Sequence, residues 1–332
     1  MLKYLIIPLA KDAVSFCHYE TTRQGGYLIP LNILRDAIIW GVKRNLNIQF
    51  IYPDRELPKE YKTIIDSIDH IDIVGSKCED FILADTADIV VFDEWEDFFS
   101  FSYRPKVCYV LRTCHEGFFA NICTIIGVLP KIKRLIIVFT DIIKFSEADF
   151  THYEKALNDL IPAISNEYVH GNQIYLNLLS DRLQLEKMNN CNAGCESITL
   201  APDGKFYICP AFFYDKSADG HEESRHELCS KSYSVGSLEK GLNINNPQPY
   251  RLDHAPICRC CDAFQCRRCI WLNRRTTSEV NTPSHEQCVI AHIERNASKK
   301  LLDTIRGKME FIPQKSIEAT DYIDPFEIIN KS

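Results

Sequence analysis

Ten of the 15 cysteines in this 332-residue chain fall between Cys191 and Cys288; the other five are scattered. Thiols at that density, with no secretion signal to read, suggest metal ligands rather than disulfides. Two sets stand out. One is Cys191, Cys195 and Cys209 with a later partner. The other is the run ICRCCDAFQCRRCIW, which carries Cys258, Cys261, Cys266 and Cys269 and is followed by Cys288. Two thiolates separated by two residues bite one metal because a tight turn lets both sulfurs converge. That geometry serves zinc and iron–sulfur clusters alike, so spacing alone leaves the metal open. Cys229 and Cys260 receive no ligand role.

The remaining candidates have plainer readings. Cys17 sits near a strand end, where a lone cysteine usually acts as a small hydrophobe; Cys108 and Cys123 lie in apolar runs and belong to the core. Cys114-His115-Glu116 opens a helix and reads as a capped start. The acidic run Asp93-Glu94-Trp95-Glu96-Asp97 follows a strand and reads as a solvated loop. No Ser/His/Asp arrangement is recognisable by spacing. Only 13 glycines are present, and neither a G-x-G-x-x-G nor a G-x-x-x-x-G-K-[ST] loop occurs, which argues against a nucleotide on a glycine-rich cradle.

The elements that must position these thiols differ along the chain. Residues 1–180 alternate β-rich runs (2–9, 48–53, 88–93, 107–111, 134–140 and 173–179) with helical patterns (31–44, 59–68, 116–126 and 148–161). Near-continuous apolar strands separated by amphipathic helices predict a parallel sheet with crossover helices. An open or partial α/β barrel fits, and a doubly wound sheet reads much the same. From Cys191 the texture changes to cysteines, turns and short hairpins, among them APDGKFYIC with a turn at Pro202-Asp203-Gly204. A helix is expected over 286–310, then a polar extended tail over 311–332. The composition, 45% hydrophobic and 25% charged, is that of an ordinary globular protein. A net charge of -7 argues against a nucleic-acid partner. No run approaches the roughly 20 apolar residues of a membrane helix. A cytoplasmic protein is expected.

The text CNAGCESITLAPDGKFYICPAF, then SVGSLEKG, then C-x2-C-x4-C-x2-C, then a final Cys, resembles the SPASM domain of radical SAM peptide-modifying enzymes. The resemblance covers roughly residues 190–295 and implies two auxiliary [4Fe–4S] clusters with interleaved ligands. Cys191, Cys195, Cys209 and Cys269 would hold the first; Cys258, Cys261, Cys266 and Cys288 would hold the second. Spacings in the four-Cys run are a residue shorter than usual. Two structural zinc sites are the alternative.

A SPASM domain usually follows a radical SAM core with a C-x3-C-x2-C motif after its first strand. Aligned there, Ala13, Cys17 and Glu20 stand at the three ligand positions, so one thiolate of three survives. The Gly-Gly-Glu turn expected after the second strand is replaced by FIYPDRELP, with no glycine to bring the backbone close. Together with the opening LKYLIIPLAKDAVSFCHYE and the segment NIQFIYPDRELPKEY, the chain is similar to the CXXX repeat peptide maturases. The implied architecture is a degenerate radical-SAM-type partial (β/α) barrel over 1–185, a SPASM-like domain over 186–310 and the tail. The implied function is that of an iron–sulfur accessory protein that does not cleave SAM. It would act with an active radical SAM enzyme, as a heterodimer, on a precursor peptide with Cys repeats. An independent redox enzyme acting on peptide thiols and a zinc-stabilised interaction protein are the competing readings.

Overall fold

A computed structural model describes residues 1–22, 25–215, 233–306 and 317. Cys229 and, apart from Ile317, the tail expected over 311–332 lie outside these residues.

Seven strands run parallel and stand in the sheet in the order of the sequence: β1 (Tyr4–Pro8), β2 (Asn47–Ile51), β3 (His70–Gly75), β4 (Ile89–Phe92), β5 (Cys108–Thr113), β6 (Arg134–Phe139) and β7 (Tyr175–Leu176). Between them lie α1 (Leu31–Val42), α2 (Lys59–Ile65), α3 (Phe81–Thr86), α4 (Trp95–Ser100), α5 (His115–Ala120), α6 (Ile122–Val128) and α7 (Glu147–Val169). A doubly wound sheet needs a reversal of strand order at its switch point. None occurs between β1 and β7, so successive right-handed crossovers place the helices on one side and leave the other concave. The fold is the radical-SAM-type partial barrel.

Alternation along the strands separates the two faces. Leu5, Ile7, Phe50, Phe92, Leu111 and Leu135 join the main core together with helix residues such as Leu34, Phe118 and Leu157. The intervening Ile6, Ile51, Ile73, Val91, Val110 and Val138 form a separate aliphatic cluster on the concave face.

The cysteine-rich segment continues this sheet. β8 (Ser197–Leu200) pairs parallel to β1 on its outer side, with Tyr4 opposite Ser197 and Ile6 opposite Thr199. β9 (Lys205–Tyr207), β10 (Ser234–Ser237) and β11 (Gly241–Leu242) then extend it antiparallel, giving eleven strands. The β8–β9 turn is the Pro202-Asp203-Gly204 turn foreseen in the sequence, with Gly204 at φ 76°. α8 (Pro210–Tyr214) and α9 (Ile270–Thr277) follow cysteines, and α10 (His285–Ile305) returns to the barrel. α10 begins with a capping box, Ser284 to the Gln287 amide and Gln287 back to the Ser284 amide. Its buried stripe of Ile290, Ala291, Ala297, Leu301 and Ile305 follows the helical period and packs along α7. Each large aliphatic buried there contributes about 1.5–3 kcal/mol.

Several expectations of the sequence reading change. Cys123, assigned to the core, is exposed, and the acidic run expected as a solvated loop starts α4 at Trp95, with Asp93 paired to the buried Arg112. β3 was not among the strands foreseen. The helix expected over 116–126 is two, divided at Asn121, which ends α5 and starts α6. The run 173–179 supplies only two strand residues.

Candidate metal centre and the closed barrel mouth

The chain between β1 and α1 occupies the mouth of the barrel, the end where α/β folds build their sites. Here it is filled. Ala13, at the first position of the expected ligand motif, is fully buried and joins the concave cluster with Val14, while Phe16 packs against them. Tyr19 is buried and stacks on Tyr214 of α8, with ring centroids 5.3 Å apart. Val14 donates its amide to the Tyr52 carbonyl at 3.0 Å, and Ser15 Oγ donates to the Tyr19 carbonyl at 2.6 Å. Asp12 is buried and paired with Arg55, which also donates to the Gly26 carbonyl. Gly26 must be glycine, since a Cβ there would collide with the Asp12 backbone nitrogen.

The clamp on this loop is Arg112, buried at the end of β5. Its Nε donates to the Cys17 carbonyl at 2.8 Å, and one terminal nitrogen donates to the Tyr19 carbonyl at 2.8 Å and to Glu20 Oε1 at 2.9 Å. The other terminal nitrogen pairs with Asp93. His18 Nδ1 donates to the Phe139 carbonyl at 2.9 Å. Glu20, at the third motif position, points largely to solvent. A carboxylate committed to an arginine, a methyl group and one thiol make a poor donor set for a site-differentiated iron cluster. Sequence reasoning missed Arg112. Its signal was a lone charge closing the apolar run VCYVLR, at the carboxyl end of a strand.

The thiols of the cysteine-rich segment gather differently. Burial raises the Cys258, Cys266 and Cys288 thiols first, and the strongest neighbouring charge is Glu294 for Cys266, Cys288 for Cys258 and Cys266 for Cys288. Each is pushed up to about 12. A second set contains Cys191, Cys209 and Cys269, with burial holding Cys209 and Cys269 well above the usual thiol range. The Leu272 amide donates to Cys269 Sγ at 3.5 Å. Such a bond favours the thiolate.

Between the two sets lies Arg268, 2% exposed. Its Nε donates to Asn190 Oδ1 at 2.9 Å and one terminal nitrogen to the Tyr250 carbonyl at 2.6 Å. The other terminal nitrogen is buried with no partner among the described residues. Its pKa is lowered by burial, against the pull of Cys258, Cys195, Cys191 and Cys266. A buried cation with a spare donor amid thiols suits an anionic group held there.

Donor spacing bears on which group fits. Four thiolates on one zinc at about 2.3 Å stand roughly 3.8 Å apart. Among the described residues, the trio of potential ligands whose atoms come within 4.8 Å of one another is Cys261, Asp262 and His292, not a set of cysteines. Cys261 Sγ lies 3.6 Å from His292 Nε2, but Arg295 occupies both Asp262 oxygens at 2.7 and 2.6 Å. Cys260 is exposed.

The fold as a whole is similar to that of anSMEcpe, a SPASM-domain radical SAM anaerobic sulfatase-maturating enzyme. Against that enzyme with bound AdoMet and Cp18Cys peptide, the TM-score is 0.58 at 10% identity, over 92% of this chain and 99% of the other. Against its hexahistidine-tagged form with bound AdoMet, the TM-score is 0.61 at 11% identity, over 94% and 97%. At such identity the likeness is one of fold. No family model matches the sequence, and no curated protein matches it. No helix among the described residues is long and apolar enough to cross a membrane.

Proposed function

We propose that this chain is an iron–sulfur partner in the maturation of a ribosomally made, Cys-containing peptide, acting beside an active radical SAM enzyme and not cleaving SAM itself. The observation that carries this reading is the contrast between a barrel mouth closed by Ala13, Val14 and the Arg112 clamp and a cysteine-rich segment that keeps a buried arginine nitrogen without a partner among the described residues. The binding of AdoMet and a Cys-containing peptide by a neighbour of the same fold supports a peptide of that kind as the substrate.

In this proposal the division into a barrel over 1–185 and a cluster-bearing domain over 186–310 stands, and each group of four thiols holds one [4Fe–4S] cluster. Such clusters supply a binding point for a substrate thiolate, a relay for electrons, or both. The protein's own part is to exclude water with the α8 and α9 aromatics, offset cluster charge with Arg268 and hold Cys269 with the Leu272 amide. The zinc reading has one observation in its favour, the Cys261–His292 approach, and the Arg295 hold on Asp262 against it.

The test is made on anaerobically purified and reconstituted protein. Iron and acid-labile sulfide for two clusters per chain are expected, with no 5′-deoxyadenosine formed from SAM by the reduced protein alone. Coexpression with a radical SAM enzyme and a Cys-repeat peptide should change the peptide's mass only when this chain is present. Stoichiometric zinc without iron, or SAM cleavage by this chain alone, ends the proposal. A stable heterodimer buries roughly 1,600 Å² or more and should survive size-exclusion chromatography.

A further inference from the structure

The negative charge of the chain is concentrated away from the cysteines. Residues 54–97 hold 14 Asp and Glu against four Lys and Arg, a net of -10 in a chain whose total is -7. The rest of the chain is therefore net positive. On this acidic stretch α3 stands bare. None of its six residues is buried, and the first two, Phe81 and Ile82, are 87% and 79% exposed. The exposure is not that of a fraying end. Asp80 caps the helix by accepting from the Ile82 and Leu83 amides, both at 3.2 Å, and Lys62 holds Asp80 at 2.7 Å. Leu83 packs on the main core. A helix fixed from behind thus turns two large apolar side chains to solvent.

Beside them a cavity of about 240 Å³ lies between α2, α3 and β3, with Tyr52, Asp66, Asp72, Asp80, Ile82 and Leu83 in its walls. Its cations are engaged. Lys62 is shared by Glu56 and Asp80, and Arg55 is paired with Asp12. His70 lies 3.2 Å from Asp72. Asp66 and Glu79, both exposed, have no ion pair among the described residues. An anion arriving here meets cations already committed, whereas a Lys or Arg side chain meets carboxylates to spare.

Size selects the form of the partner. An interface between folded proteins takes roughly 800 Å² from each side, and α2 and α3 have only seven and six residues. The cavity is smaller than the roughly 300–1,000 Å³ of small-molecule pockets; one long side chain fills it. A short segment with one apolar and several basic residues matches both the bare helix and the charge.

We infer that the α2–α3 edge of the barrel docks a short basic segment of the precursor peptide. An apolar residue lies on Phe81 and Ile82, and a Lys or Arg enters the cavity toward Asp66 and Asp72. That the segment belongs to the precursor rests on the proposed function; the chemistry of the surface does not.

The experiment uses the full chain, anaerobically reconstituted, and a fluorescein-labelled peptide of repeating Lys-Lys-Leu, with a Glu-Glu-Leu peptide as control. Fluorescence anisotropy should show saturable binding of the lysine peptide, weakened several-fold between about 50 and 300 mM NaCl, and no saturable binding of the control. The double variant Phe81→Ser, Ile82→Ser and, separately, Asp66→Lys should each raise the Kd roughly tenfold. All three positions are exposed, so circular dichroism should match wild type. Equal Kd in these variants, or equal binding of the acidic peptide, overturns the docking surface. Self-association that the double variant abolishes assigns the face to a second copy and overturns it too. In coexpression with the radical SAM enzyme and the Cys-repeat peptide, the double variant should keep its iron and lose most of the change in peptide mass. Full iron with an undiminished mass change overturns docking of the precursor and leaves the iron–sulfur partner standing. Wild type without iron sinks the functional proposal instead, and the anisotropy then decides by itself whether this surface takes a basic segment.

Discussion

Residues 12–20 and residues 258–269 are both short irregular stretches, and their polar groups are spent in opposite ways. In the first, the carbonyls of Cys17 and Tyr19 go to Arg112, Asp12 goes to Arg55, and the apolar side chains fill the concave face. In the second, Arg268 keeps a buried nitrogen without a partner among the described residues. The first stretch is not fully satisfied either, since Asp12 Oδ1 and Tyr19 Oη are buried without a partner among the described residues, but its carbonyls and its carboxylate's other oxygen are committed to arginines of the barrel. A loop that keeps a buried cationic donor spare stays unfinished until something anionic arrives.

Removing the metal should widen this contrast most. Ligation is folding energy for a segment with few long apolar elements. Chelation of the reconstituted protein is expected to abolish hydrogen-exchange protection over 186–306 while much of the barrel stays protected; equal protection in both forms would refute the contrast. Next in size is Arg112→Met, which removes the donor to two loop carbonyls and one ion-pair partner of Asp93. Loss of a buried partner of this kind costs about 3–5 kcal/mol, readable as a lower denaturant midpoint, and the barrel mouth should open with no effect on iron content at the second site.

Glu294 sharpens the comparison where α10 meets α7. Its carboxyl accepts from Tyr153 Oη at 2.8 Å and Gln265 Nε2 at 3.3 Å, and burial raises its pKa from 4.5 to about 7. The folded state therefore holds a proton that the unfolded chain has already released. Stability should fall as pH rises from about 4.5 to 7, by on the order of 3 kcal/mol. Glu294→Gln should flatten that slope in urea titrations at several pH values. Smallest is Ser146→Ala, which removes half of the α7 capping box. It lies in neither contrasted stretch and should cost about 1 kcal/mol, a baseline for the others in thermal denaturation.

The strands of the barrel were legible because their apolar runs are nearly continuous. β3 was hidden because its first half, His70-Ile71-Asp72, is only half-buried and carries polar residues. The break at Asn121 had a signal, a good capping residue between two apolar stretches, that the helical period masked. Among the site residues, cysteine spacing offered two candidate sets without naming the metal. The position of Cys17 depends on Arg112, 95 residues away, and on Tyr214, which reaches Ala10 across 204. Such partners leave no local trace in a single sequence.

The pairing of β8 with β1 has a mechanical consequence. The two strands run the same way, and Lys3 and Tyr4 both donate their amides to the Glu196 carbonyl at the start of the pair. Tension between the beginning of β1 and the end of β8 loads all the bonds of this seam together, in shear, and none can be peeled off first. The cysteine-rich segment and the barrel must therefore part by one concerted slip, and until that load is reached they bear force as a single plate.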